Sequence, residues 1–230
     1  MLPNQIQAVV FDAVGTLIHV EPSFDRIYAE VGRRFGSELD DAAVRTRFRA
    51  AFVEQDRIDR KNNWRTDEAR EEQRWRDIVA AVFDDVVDAD ACFETLFETF
   101  GTAAVWRADD NAEAILRQCR SLGLRISLGS NFDRRLRNVI AVVPDHEEFE
   151  ALHISSEIGW RKPASQFFIE VIDSLMLRPN QILFVGDDRT NDYEPAVAIG
   201  MHARLIDPRR QHLDLGTKRM NHLGDLLVDR

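Results

Sequence analysis

The chain has 230 residues, 44% of them hydrophobic, and a formal net charge of −10. It is long enough for one large or two small domains with a buried core, and its acidic balance argues against nucleic-acid and anionic-membrane partners. Cys92 and Cys119 lack metal-site spacing and read as buried free thiols in a reducing, cytoplasmic setting, while MLPNQIQ has no basic start and its apolar run breaks at Asp12, so neither a signal peptide nor a membrane span is expected.

The first predicted element is the apolar run Ala8–Phe11, which reads as a strand buried on both faces, as a parallel sheet requires. It stops at Asp12, with Gly15 and Thr16 following. A carboxylate at a strand end marks the edge where open α/β sheets bind ligands, although Asp12 read alone also suits a turn or a helix cap. From Glu21 to about Phe100 the pattern is helical. One helix is predicted near Phe24–Phe35. Ser37 is expected to cap a second, carrying Val44, Phe48 and Phe52 at four-residue spacing. Thr66 is expected to cap a third, with Asp67 and Glu68 in its first turn and a stripe of Trp75, Ile78, Val79, Val82, Phe83 and Val86. A fourth, Ala91–Phe100, ends at Gly101. Four such helices with short loops predict a small antiparallel bundle.

Strand and helix then alternate. The predicted order is helix Asp110–Leu122 stopped by Gly123, strand Leu124–Ser130, helix Arg134–Val143 ended by Pro144, and short strand Ala151–Ser155. Helix Ser165–Met176, strand Gln181–Gly186, short helix Tyr193–Ile199 closed by Gly200, and a last strand His202–Ile206 follow. Asn221 is expected to cap a terminal helix holding Leu223, Leu226 and Leu227. The alternation predicts an α/β fold, a doubly wound parallel sheet into which the helical block is inserted.

Each predicted strand stops at polar groups: Asp12, then Ser130-Asn131, then Gly159–Pro163 with Lys162, then Gly186-Asp187-Asp188 with Asp192 beyond. In a parallel sheet these ends share one edge and can converge. Asp12 and Asp187 are hard oxygen ligands of the kind Mg²⁺ prefers, and a carboxylate can also attack phosphorus. Ser130 and the backbone N–H groups beside it can hold a phosphoryl oxygen, and Lys162 would balance the clustered negative charge and orient Asp12. Singly, Ser130 reads as a turn residue, Lys162 as a surface residue, and Gly186–Asp192 as a plain turn with Asp188 solvated. Together, in this order, they read as a site.

The four stretches FDAVGTL (Phe11–Leu17), LGSNFD (Leu128–Asp133), EIGWRKP (Glu157–Pro163) and VGDDRTND (Val185–Asp192) resemble, in order, the four motifs of the haloacid dehalogenase-like (HAD) hydrolase superfamily. The resemblance covers nearly the whole chain and is to the branch with a helical cap after the first motif. The run from Trp106 to Asp133 and the Lys-Pro stretch are most similar to its REG-2-like subgroup. The resemblance implies a Rossmann-like core of residues 1–17 and 104–230, with a mobile four-helix cap, residues 18–103, closing over the site. It implies Asp12 as a nucleophile that forms an aspartyl-phosphate. Mg²⁺ would be held by Asp12, the backbone carbonyl of Val14 and Asp187, with Asp192 behind them near Lys162. Ser130, Asn131 and Lys162, with Gly15 and Thr16, would receive the phosphoryl group of a small phosphorylated or otherwise anionic metabolite, in a monomer or homodimer.

One position departs from the pattern. Phosphatases of this superfamily carry a second Asp two residues after the nucleophile, which protonates the leaving group and then activates water; here it is Val14. Such acid–base help is worth about two to four orders of magnitude in rate. One reading keeps Mg²⁺-dependent phosphoryl hydrolysis or transfer, favouring good leaving groups such as acyl phosphates or borrowing an acid from the substrate or cap. A second is carbon-bond hydrolysis of the phosphonatase or dehalogenase type. For the former, Lys61, the one lysine of the cap segment, is a candidate Schiff-base residue or else an exposed lysine. The metal-free dehalogenases fit poorly with the acidic Gly186–Asp192 loop. A third reading, a weakly active or non-catalytic binding protein, leaves Asp12 without a purpose. The basic segment Arg57, Arg60, Lys61 and Arg65, with Trp64 among them, either meets an anionic substrate or is a solvated helix end.

Overall fold

The structure, a computed structural model, describes residues 5–227; the outermost parts of the expected core segments, 1–4 and 228–230, lie outside the described residues. The chain opens with β1 (Ala8–Phe11) and β2 (Ile18–Val20), then four helices: α1 (Phe24–Arg34), α2 (Asp41–Lys61), α3 (Glu68–Val82) and α4 (Ala89–Phe100). It returns through β3 (Trp106–Ala108) into α5 (Ala112–Ser121), β4 (Arg125–Ser130), the single turn α6 (Leu136–Val139), β5 (Ala151–Ile154), α7 (Ser155–Ile158) and α8 (Ser165–Leu175). β6 (Ile182–Gly186), α9 (Glu194–Ala198), β7 (His202–Ile206) and β8 (Arg219–Met220) complete it.

Six strands form one sheet in the order β5-β4-β1-β6-β7-β8, every pair parallel, with helices on both sides: an α/β Rossmann-like fold. The apolar run of β1 has a direct cause. Val9 and Phe11 enter one core cluster with Leu116, Leu128 and Leu136, and Ala8 and Val10 enter the other with Phe167, Phe168 and Phe184. A central parallel strand has no solvent side, so none of its positions is polar. Phe11 sits level with Leu128 on one side and Val185 on the other, so the next residue, Asp12, emerges between the ends of β4 and β6.

The helical block has its own core, including Tyr28, Val44, Ile78, Val82 and Leu96. In it α1 packs on α2 and α4, and α3 on the same two helices. Both crossings into the block run through an antiparallel ribbon that the sequence pattern does not predict, in which Ile18 pairs with Ala108 and Val20 with Trp106. Among the described residues no helix is long and apolar enough to cross a membrane. Cys92 and Cys119 are buried and unpaired, and burial pushes their thiols up to about 11 and about 12.

Several local expectations are corrected. α2 is capped by Asp40, whose carboxylate accepts from Ala43 N at 2.8 Å, whereas Ser37 donates to Asp85 across the block. α3 is capped by Asp67, which accepts from Arg70 N at 2.7 Å, and Thr66 donates to Glu71 instead. In both cases an aspartate stands immediately before the first helical turn, where its oxygen reaches the open N–H groups better than a hydroxyl further upstream. α3 stops at Val82 because Phe83 turns extended, leaving Val86 outside. The predicted helix 134–143 shrinks to α6 and one tighter turn to Val142. Tyr193–Ile199 begins instead with a wide helical turn from Arg189, capped by Asp188, so Asp188 is not merely solvated. β7 is not the last strand, since β8 pairs beside it. The terminal segment Leu223–Leu227 is a tight helical stretch in which Asp225, not Asn221, supplies the side-chain acceptor.

Gly32 lies in the last turn of α1, where a Cβ would come within 2.5 Å of the Phe83 ring. Gly32→Ala gains about 1 kcal/mol of helix propensity but overpacks a full core, at a cost of about 1–3 kcal/mol. The expected outcome is a net loss of stability, read as a lower urea midpoint with an unchanged slope.

Candidate active site

The loops after β1, β4 and β6, together with the one after α7, meet at the sheet edge. Lys162, almost fully buried, is the hub. Its Nζ donates to Asp12 Oδ1 at 2.6 Å, to Asp192 Oδ1 at 2.6 Å and to the Gly129 carbonyl at 3.0 Å. Its backbone is fixed as well: Lys162 N donates to Asn131 Oδ1 at 2.7 Å and Asn131 Nδ2 donates to the Lys162 carbonyl at 2.9 Å. Burial works to lower the Lys162 ammonium, but the charges of Asp12 and Asp192 and their hydrogen bonds outweigh it and hold it above its usual value.

Asp12, Asp187 and Asp192 each bring a carboxylate oxygen within 4.8 Å of the others. One lysine does not balance three carboxylates. Burial, then the charges of Asp12 and Asp192, push Asp187 up to about 8. A hard divalent cation suits such a set of oxygens and would relieve their repulsion. The turn after β1 is shaped for this approach. Gly15 has φ +89°, and a Cβ there would fall 2.2 Å from Asp187 Oδ2, so only glycine fits.

A cavity of about 380 Å³ opens from these carboxylates into the helical block. Ser130, Asn131, Lys162, Asp187 and Asp192 line its floor beside Asp12, and Val14 faces it with 38% of its surface exposed. Its roof is aromatic. Gly15 and Thr16 do not line the cavity, and the buried Thr16 hydroxyl has no hydrogen-bond partner. Of the basic segment only Trp64 lines it. Arg57 pairs with Glu54, Arg60 and Arg65 lie over the rings of Trp64 and Trp160, and Lys61 is exposed at the end of α2. That segment matches the solvated reading, and Lys61 is not brought to Asp12.

Sequence reasoning missed what closes the cavity. Arg161 is buried and pairs with Glu71 of α3, and its Nε stands 3.7 Å from Asp59 of α2. Asp59, fully buried, also takes Arg70 at 2.6 Å and Arg74. Around this cluster Thr66 N donates to the Gly159 carbonyl at 3.1 Å, Arg161 N to the Trp64 carbonyl at 2.9 Å, and Ser156 Oγ to Glu68. The helical block is thereby fastened to the loop that carries Lys162. The sequence signal was slight: a second cation directly beside the lysine, and an acid, Glu71, four residues before Trp75 on the apolar stripe of α3.

A family model for haloacid dehalogenase-like hydrolases matches residues 6–200. The chain is 32% identical over 207 residues to human haloacid dehalogenase-like hydrolase domain-containing protein 3, covering 88% of this chain and 82% of that one. Among solved structures it is similar to a dehalogenase (TM-score 0.76, 16% identity, covering 98% of this chain and 97% of that chain). It is also similar to YfnB of Bacillus subtilis bound to magnesium (TM-score 0.75, 14% identity, 96% of each chain).

Burial works to raise the Glu71 carboxyl, but the charges of Arg161 and Arg74 and hydrogen bonds from Arg161 and Thr66 hold it below its usual 4.5. A carboxylate depressed in the folded state stabilises above its unfolded pKa, and that stability is lost as pH falls below about 4.5 and through the folded value. Glu71→Gln leaves the buried Arg161 with only its longer contact to Asp59 and is expected to cost up to about 3–5 kcal/mol at neutral pH. It is also expected to flatten the acid arm of the stability–pH curve, both read from urea unfolding across pH.

Proposed function

The chain belongs to the haloacid dehalogenase-like hydrolase family, and from that premise we propose that it transfers the phosphoryl group of a small phosphorylated metabolite to Asp12 and then to water. The observation that carries this is the convergence of Asp12, Asp187 and Asp192 on one another with Lys162 bound to two of them at 2.6 Å. A nucleophile aimed at an anionic phosphoryl group needs that counter-charge; a binding pocket without chemistry does not need the carboxylate.

Lys162 fixes one oxygen of Asp12 and leaves the other to attack phosphorus, forming an aspartyl-phosphate as the leaving oxygen departs. Ser130 and the backbone of Asn131 receive phosphoryl oxygens, while Gly15 and Thr16 shape the turn that aims Asp12. Asp12, the Val14 carbonyl and Asp187 would hold Mg²⁺, which when bound supplies charge neutralisation for those oxygens. Asp192 steadies Lys162 from the far side. In this reading residues 18–103 are a cap over the core, and its closure keeps bulk water from the nucleophile. The alternative, attack of Asp12 on carbon as in dehalogenases, draws on Val14, because that chemistry needs no leaving-group acid. The three-carboxylate cluster weighs against it, since such a reaction has no use for a cation there.

Phosphate release in the presence of Mg²⁺ is expected from activated monoesters and acyl phosphates. Asp12→Asn should lower it by roughly a thousand-fold or more. Halide release from 2-haloacids without phosphate release would instead support attack on carbon. Val14→Asp is expected to raise hydrolysis of simple alkyl phosphates, by up to about two to four orders of magnitude if proton donation is the missing step.

A further inference from the structure

We propose that the substrate is an aryl phosphate, a phosphate monoester whose leaving group is an uncharged aromatic alcohol. The inference rests on the phosphoryl-transfer reading above and adds what leaves.

Two observations carry it. The first is the lining of the roof: Phe24, Phe48, Phe52, Trp75, Phe97 and Phe132 surround the space a leaving group would occupy. The charged groups among them are already matched. Asp56 takes Arg74 at 2.7 Å, Arg161 is held by Glu71, and Arg135 is held by Asp133 at 2.6 Å and by the Phe97 carbonyl. A sugar or other polyol placed here would bury hydroxyls against rings, and a buried polar group without a partner weakens binding. A flat apolar ring gains by the same burial, and a cavity of about 380 Å³ is of a size for one or two rings.

The second observation is that, among the described residues, the titratable groups at the carboxylate floor of the cavity include no free proton donor. Val14 faces the cavity there and has none. Of the other titratable groups that line the cavity, Asp56 is ion-paired to Arg74 and Lys162 is committed to Asp12 and Asp192. Asp188 accepts hydrogen bonds from Thr190 N and Asn191 N, and Tyr28 belongs to the roof, packed among the rings of Phe24, Phe48, Phe83 and Phe100. Asp187, on the phosphoryl-transfer reading, would be a Mg²⁺ ligand and carry no proton. A leaving oxygen that must depart unprotonated has to be acidic. A phenol, with a pKa near 10 like that of tyrosine, meets this; an aliphatic alcohol, near that of water at about 16, does not.

The step balances. Asp12 bonds to phosphorus as the bond from phosphorus to the aryl oxygen breaks with its electron pair on the phenoxide. Water then attacks phosphorus, its proton goes to the phenoxide, and the Asp12 carboxylate is regenerated. Aryl phosphate and water give the phenol and inorganic phosphate.

Four esters separate the two observations in the full-length protein with Mg²⁺: phenyl phosphate, benzyl phosphate, O-phosphotyrosine and glycerol phosphate. Phenyl and benzyl phosphate share a ring and differ in the acidity of the leaving oxygen. Phenyl phosphate and phosphotyrosine share that acidity and differ in a charged tail. Phenyl phosphate is expected to exceed benzyl and glycerol phosphate in kcat/KM by about 100-fold or more. It is expected to exceed phosphotyrosine mainly through a lower KM. Val14→Asp is expected to narrow the phenyl–benzyl gap by raising benzyl phosphate. Equal rates for phenyl and benzyl phosphate, or glycerol phosphate as the best ester, would overturn the aryl assignment while leaving phosphoryl transfer in place. Release from none of the four, nor from an acyl phosphate, would overturn both.

Discussion

The structure depends on one buried ammonium. Lys162 stands between Asp12 and Asp192, all three buried where water screens them poorly, with the more exposed Asp187 close by. Each ion taken out of water costs several kcal/mol, and the carboxylates raise one another's pKa unless a cation sits among them. The sheet order makes the arrangement possible. β1 is flanked by β4 and β6, so Asp12 emerges beside Gly129, whose carbonyl also accepts from Lys162, and beside Gly186, where any side chain would meet Asp192. The paired hydrogen bonds between Asn131 and the backbone of Lys162 then set the lysine to fit that gap.

The neighbouring residue ties this centre to the helical block. Arg161 reaches the other way, to Glu71 and Asp59, so the loop that positions the lysine is also the loop the block grips. The grip is ionic where an apolar contact would have bound more firmly. Buried ion pairs are poor glue because separating them returns both partners to water. On the cap reading, an interface built this way suits a lid that admits substrate, because its ionic contacts can part and be hydrated. The block keeps its own apolar core apart from this interface, around Tyr28, Val44, Ile78 and Leu96.

The sheet and the floor of the site were legible in the sequence because both obey short-range rules. A central parallel strand must be apolar throughout, and its polar terminus must fall on the ligand edge. Asp12, Ser130, Lys162 and Asp187 could therefore be placed from the order of residues alone. The ribbon of Ile18–Val20 and Trp106–Ala108 was hidden because three residues carry no period, and its two strands stand on opposite sides of the whole helical block in the chain. The helix caps were misplaced at Thr66 and Ser37, since several polar residues close together all satisfy the pattern and only the backbone decides. The Arg161–Glu71–Asp59–Arg74 cluster was invisible for a deeper reason. Glu71 falls on the apolar stripe of α3 by its spacing from Trp75 and Ile78, but nothing local says which cation, from which distant element, will cover it there.

Val14 then gains a meaning that neither the sequence nor the site floor supplies alone. On the phosphoryl-transfer reading, a second aspartate would serve twice, as acid for the leaving group and as base for water. Losing it damages both halves of the reaction, so a remedy has to serve both. An aromatic alcohol does so: it leaves without a proton, and as phenoxide held under the aromatic roof it is the base at hand when water arrives. A polyol would fail at each point, needing a proton to leave and finding no partners for its hydroxyls while it stayed. On that reading the apolar roof and the apolar side chain at position 14 favour the same substrate, and the acid–base work falls to the leaving group itself.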